Sequence, residues 1–131
     1  MKQSNPGGFT LVEIMIVVAI IALLVSLILP NLVGIKLSAN DALAQTTLRN
    51  LSKASETFAM TTSGSYPTNM TSLTGATPAY ISEDACGTTA AGFTYLCTMT
   101  SQSYSFTATP VTIGTSGTTT YTVTTGGVLT P

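Results

Sequence analysis

The hydrophobic pattern of the chain changes character along its length. From Phe9 to Leu29 it is nearly unbroken: 21 residues in which only Glu13 ionises. At about 1.5 Å rise per residue, a helix over this run is about 31 Å long, close to the thickness of a bilayer core. Residues 30–40 are poorer. Pro30 removes a backbone donor and disfavours helix in the residue before it. Gly34, Asn31, Ser38, Asn40 and Asp41 are weak interior helix formers. This section predicts a helix break at Pro30 and Gly34, either a kink or an unwound stretch, with Asn40 or Asp41 available to cap a restart. From Asp41 onward Ala44, Leu48, Leu51, Ala54 (or Ser55) and Phe58 recur at helical spacing. Arg49, Lys53 and Glu56 are then expected to face outward, with Lys53 and Glu56 as a weak pair. Thr61-Thr62-Ser63-Gly64 ends the pattern.

Beyond Gly64 the period shortens to that of strands. Residues 93–99, 103–108 and 119–124 are rich in Thr, Val, Tyr and Phe. Tyr104 and Phe106 share one face, as do Tyr121 and Val123. Gly114-Thr115-Ser116-Gly117 and Gly126-Gly127 mark turns. The expected class is α+β: a long N-terminal α-helix packed on a small C-terminal antiparallel sheet of three or four strands. Without the helix, so small a sheet has little core. The expected organisation is a leader over residues 1–8, a helix over 9–62 whose half 9–29 is the transmembrane or filament-core part, and a β-rich head over 63–131.

Charge narrows the function. Only 7% of the 131 residues are charged and the net charge is −1, so no basic patch exists to hold nucleic acid. No charged side chain follows Asp84. Such a neutral, Thr-rich surface resists self-association poorly, which suits a polymerising protein. The chain has no His or Trp, no phosphate loop and no paired carboxylate in a plausible pocket. Glu83-Asp84 reads as a solvated turn. No enzymatic activity, cofactor or metal site is expected. Cys86 and Cys97, the only cysteines, are expected to pair if the domain is exported. Two free buried thiols are the other reading; a zinc site would need ligands the chain lacks. Asn69-Met70-Thr71 matches a glycosylation sequon, more simply a chance match.

The start of the chain carries the sharpest signal. Pro6-Gly7-Gly8-Phe9-Thr10-Leu11-Val12-Glu13 runs directly into the apolar block. An ionised residue at that depth costs about 2.5–3.5 kcal/mol on insertion scales, so Glu13 needs a partner. A cut between Gly8 and Phe9 creates one, the Phe9 amine. An ordinary signal peptide would have a shorter apolar run and a small-residue site just after it. A plain membrane anchor explains the length but neither Glu13 nor the Gly-Gly-Phe junction. Lys2 weakly favours a cytoplasmic start, and Lys36 offsets most of that bias.

These residues resemble the N-terminus of the type IV pilin superfamily, which includes pilins and the pseudopilins of type II secretion. The likeness covers about the first 60 residues, and Gly64-Ser65-Tyr66-Pro67 with Leu73 is a weaker likeness beyond them. The resemblance implies cleavage between Gly8 and Phe9 by a prepilin peptidase, N-methylation of Phe9, and packing of the helix into a filament core with Phe9 and Glu13 at the assembly contact. It implies a homopolymer as the main partner, with pilus assembly machinery. It also implies residence in the inner membrane before assembly and an extracellular pilus afterwards. Glu13 favours a major, repeating subunit. The alternative is a periplasmic pseudopilin of type II secretion. Major pseudopilins typically bind calcium through acids in a C-terminal loop, and this chain has no acid there.

Overall fold

The structure, a computed structural model, describes residues 7–131. It contains a 51-residue helix α1 (Leu11–Thr61), a one-turn helix α2 (Thr71–Thr74) and strands β1 (Thr89–Ala90), β2 (Phe93–Met99), β3 (Tyr104–Pro110), β4 (Tyr121–Thr124) and β5 (Val128–Thr130). The chain divides into two units. One ends at Gly34 and the other spans Ile35–Pro131.

Both Pro30 and Gly34 lie inside α1. The helix runs through both residues, so one form of the expected break, the unwound stretch, is not seen, while the other, a kink, is compatible with a continuous helix. The physical reason is cooperativity. A proline withdraws one N–H, here the donor that would reach the Ser26 carbonyl, and costs about 3 kcal/mol. Each neighbouring residue still adds its own bond to a helix already nucleated on both sides. Asn40 and Asp41 do not cap a restart either. They are interior, and their side chains serve the second unit.

At its C-terminus α1 closes as expected, with Ser63 at φ 58° and Gly64 at φ 92° both turning to positive φ. The Gly64 N–H donates to the Ala59 carbonyl at 2.8 Å. That is the six-to-one bond of a Schellman cap.

The second unit is an antiparallel meander in the order β1-β2-β3-β4-β5. It has five strands against the three or four expected. The two short edge strands, β1 and β5, carry too few residues to show an alternation in sequence. β2 pairs with β3 over its whole length, from Phe93 opposite Pro110 to Met99 opposite Tyr104. Its inward face presents Phe93 and Tyr95; β3 adds Tyr104, Phe106 and Ala108, and β4 adds Val123. All six meet Ala44, Leu48, Leu51 and Ala54 of α1 in one cluster, with Phe58 half-buried at its margin. The helical stripe read from the sequence is the floor of this core. Leu48, Leu51, Phe93, Phe106 and Val123 are fully buried. Each such side chain contributes about 1.5–3 kcal/mol by leaving water.

Three side chains of α1 fasten the sheet's loops by hydrogen bonds. Asn40 Nδ2 donates to the Ser116 carbonyl at 2.8 Å. Buried Asp41 accepts from the Thr118 N–H at 3.0 Å and the Thr118 hydroxyl at 2.6 Å. Glu56, expected outside beside Lys53, instead turns into the head. It accepts from Tyr104 Oη at 2.7 Å, Gly126 N–H at 2.8 Å and Tyr66 Oη at 3.1 Å. Three donors, two of them on a half-buried aromatic cluster, outbid one solvated lysine, because a surface ion pair contributes little. Tyr104 has one hydroxyl hydrogen, which goes to Glu56. Ser52 Oγ, 2.8 Å from the same oxygen, is therefore the donor in that contact.

Cys86 and Cys97 form a disulfide, with Cα atoms 5.5 Å apart. It ties β2 to the segment that runs from α2 toward the sheet. Intact mass should rise by two hydrogens on reduction, with no thiol open to alkylation beforehand. Opening this short loop should lower stability by about 2.5–3 kcal/mol in denaturant unfolding.

Candidate processing and assembly site

Residues 7–10 lie outside the helix, and Gly8 and Phe9 are exposed. The remainder of the expected leader, residues 1–6 with Lys2, lies outside the described residues. The sequence pattern put the helix start at Phe9. It falls at Leu11, and the cause is local.

Thr10 is the N-cap. Its hydroxyl accepts from the Glu13 N–H at 3.2 Å, and Glu13 Oε2 reaches back to the Thr10 N–H at 2.8 Å and the Thr10 hydroxyl at 2.9 Å. This is a capping box, in which the two residues satisfy each other's orphaned backbone donors. Thr10-x-x-Glu13 before an apolar run is its sequence signature. The expectation of a charged partner for Glu13 left this local role out of the sequence reading. Both contacts fall on Oε2. Among the described residues Oε1 makes no hydrogen bond, so Glu13 keeps an acceptor in reserve.

Behind this cap, every described side chain of α1 up to Gly34 is exposed. The large apolar ones range from 45% exposure at Val25 to 75% at Leu11. The helix is long and apolar enough to cross a membrane, with a mean hydropathy of 3.1 over its best window. Soluble monomers rarely present contiguous apolar patches beyond a few hundred Å². This surface therefore requires lipid or other helices around it.

A groove of about 750 Å³ lies between α1 and the segment after α2, lined by Asn50, Lys53, Thr57, Pro78 and Tyr80 among others. Lys53 is the one ionisable amine on its wall, and no carboxylate lines it. Among the described residues no group of three or more His, Cys, Asp or Glu side chains could hold a metal. The perturbed acids and phenols belong to the Glu56 network. Partial burial alone would raise the Glu56 pKa, but the bonds from Tyr104, Gly126 and Tyr66 outweigh it and hold the pKa below the ordinary glutamate value. Burial pushes Tyr104 up to about 12. The bond from Ser52 opposes this, and the bond to Glu56 and its charge add to it. These shifts stabilise structure and prepare no nucleophile.

The comparisons with known proteins agree with the geometry. Residues 3–29 match the family model of the prokaryotic N-terminal methylation motif. The chain is 38% identical over 69 residues to the type IV wide pilus major component PilA4 of Thermus thermophilus, covering 53% of this chain and 52% of that protein. It is 35% identical over 68 residues to type II secretion system core protein G of Aeromonas hydrophila, covering 52% of this chain and 47% of that one. The corresponding protein of Vibrio cholerae is 39% identical over 67 residues, covering 51% and 45%. The chain thus spans about half the length of the curated relatives it matches. No solved structure matches. The chain carries a prepilin-type N-terminus, and its relatives are a type IV pilin and type II secretion core proteins.

Two outcomes check these clusters. Glu56 has a lowered pKa in the folded state, so its contribution is present above the unfolded value, about 4.3, and is lost as pH falls through the folded one. Tyr104 has a raised pKa, so its contribution is full below about 10 and is lost as pH rises through the folded value. Glu56→Gln should lower stability by about 1.5–3 kcal/mol at neutral pH and remove the acid-side part of that dependence. Thermal unfolding of the detergent-solubilised chain across pH reads both; an unchanged acid limb would show that Glu56 is not its source.

Proposed function

We propose that this chain is the repeating subunit of a type IV pilus-like filament. A prepilin peptidase cuts it between Gly8 and Phe9 and methylates the Phe9 amine. The mature chain then polymerises through the first half of α1. One observation carries this reading: a helical surface without charge from Ile14 to Ile35, exposed at every described side chain, lies behind a Gly8-Phe9 junction that stays outside the helix. The junction is held out of the helix by the Thr10–Glu13 cap, which suits a scissile bond that must enter a peptidase in extended form. The methylation motif and the pilus component among the relatives support the same reading.

The mature N-terminus gives Glu13 a second task. The Phe9 amine is a cation at the end of an apolar helix, and an isolated charge in a filament core is costly. Glu13 Oε1 is open to take that amine, from its own chain or a neighbour, while Oε2 keeps the cap. Before assembly the helix anchors the chain in the inner membrane; afterwards it lines the filament, and the pilus assembly machinery moves it from one to the other. The backbone at Pro30 and Gly34 is the least costly place for α1 to open during that transfer. The leader over residues 1–8, the helix and the head over 63–131 are then the working parts of the chain.

A periplasmic pseudopilin of type II secretion is the second reading, favoured by the two core protein G relatives. The loop between β3 and β4 bears on the choice. It carries no acid, and Asn40 and Asp41 of α1 fasten it. Deleting the gene separates the readings: loss of surface filaments supports the pilus, and loss of protein secretion with filaments intact supports the pseudopilus.

Mass spectrometry of purified filaments should find a mature chain beginning at N-methylated Phe9. A chain that still begins at Met1 would end this reading. Glu13→Ala should insert in the membrane, be cut after Gly8 and polymerise poorly, with Glu13→Asp intermediate. Normal filament yield from Glu13→Ala as sole subunit, counted by electron microscopy, would give the carboxylate another purpose.

A further inference from the structure

The connection between β3 and β4 is the most tightly fastened irregular segment of the head. Its base is held by Val111 N–H donating to the Gly92 carbonyl at 2.9 Å. Its turn is closed by Gly114 N–H to the Gly117 carbonyl at 2.8 Å and Ser116 N–H to the Thr112 carbonyl at 2.9 Å. The Ser116 hydroxyl accepts from the Thr112 N–H at 2.8 Å. The side chains of Asn40 and Asp41 then bind Ser116 and Thr118 from the helix. Two glycines make the approach possible. A Cβ on Gly92, whose φ is +79°, would come within 2.7 Å of Ser116 Cβ, and one on Gly117 would overlap the Phe93 ring.

Such restraint fixes the outward side chains as well. Two of them are large, β-branched and apolar: Val111 at 60% exposure and Ile113 at 72%. β-branching leaves each little rotamer freedom to lose on contact. Leu43, 50% exposed, lies two residues beyond Asp41 on the helix that holds the loop. Every side chain of the chain beyond Asp84 is neutral, and the carboxylate that meets the loop, Asp41, is buried against Thr118. Among the head's other charges, Lys53 lines the groove beside Pro78 and Tyr80, and Glu83 sits near Asn50.

We propose that this loop, through Val111 and Ile113, seats one subunit's head against the apolar first half of α1 in a second copy of the chain. The inference rests on the filament reading above. The occupant is chosen by charge and shape. From Ile14 to Ile35 the helix has 22 consecutive residues without a charged side chain, and those described are exposed. Two neutral surfaces can be brought together without stranding an ion out of water. A bilayer surface is the poorer partner, because interfacial anchoring uses Trp, Tyr, Lys and Arg, and residues 111–118 contain none of them.

The test uses the full chain in cells that assemble it. Ile113→Cys is combined in turn with Val17→Cys, Ile21→Cys, Leu24→Cys and Ile28→Cys, and sheared filaments are oxidised. At least one pair should give a ladder of covalent multimers. Val111→Ser with Ile113→Ser should insert, be processed, keep the Cys86–Cys97 disulfide and yield at least tenfold fewer filaments. Leu96→Ser, an equally exposed apolar position on β2, serves as the control and should assemble normally. Absence of any ladder together with normal yield from the double serine variant overturns the proposal. So does a double variant that fails already at membrane insertion, which would point to lipid as the partner. If the wild-type chain makes no filaments, the assembly reading itself falls, and that outcome is visible before any variant is made.

Discussion

The fold rests on one helix that carries two unlike hydrophobic surfaces in succession. Up to Gly34 the described apolar residues of α1 are exposed all round the helix. From Ala44 onward they narrow to a stripe that the sheet covers. A five-stranded meander with two very short edges has one face to bury, and α1 buries it together with Met70 and Leu73 at α2. The head is therefore not separable from the helix. Removing the second half of α1 would take away Ala44, Leu48, Leu51 and Ala54, four of the twelve residues of the core cluster.

Polar side chains on the same helix add specificity. Asn40, Asp41, Ser52 and Glu56 are indifferent or poor choices for helix stability, yet each reaches a partner on the sheet side. Hydrophobic contact alone would let the sheet slide along the stripe, since Leu and Phe impose little register. A buried Asp41 that must meet Thr118 and a Glu56 that must meet Tyr104 and Gly126 allow one position. Truncating Glu56 would leave the hydroxyl of buried Tyr104 without its acceptor, which costs more than the bond contributes when made.

At the other end of α1 the same economy applies to a single carboxylate. Glu13 closes the helix cap with Oε2, and among the described residues Oε1 makes no hydrogen bond. The cap sets where the helix begins, and so leaves residues 7–10 outside it. In the proposed filament the same side chain would also meet the Phe9 amine, a reason for an acid inside a run that would otherwise span a membrane at lower cost.

Much of this was legible in the linear pattern. The apolar run, the amphipathic stripe at Ala44, Leu48, Leu51 and Ala54, and the strand at Phe93–Met99 follow from periodicity, because burial on one face repeats at the spacing of the element. The Gly-Gly-Phe junction and Glu13 were legible because a charge in an apolar helix demands a reason. The Thr10–Glu13 cap was equally readable from its spacing and was passed over. Local propensity misjudged three places. Pro30 and Gly34 do not interrupt α1, since a nucleated helix propagates through one lost bond. Asn40 and Asp41 looked like caps and Glu56 like a solvated residue, because their partners stand 48 to 77 residues away in sequence. Sequence determined which residues must be buried and what the N-terminus carries. Only the tertiary structure decided which polar groups meet, because a hydrogen bond depends on a direction and a distance that no periodicity encodes.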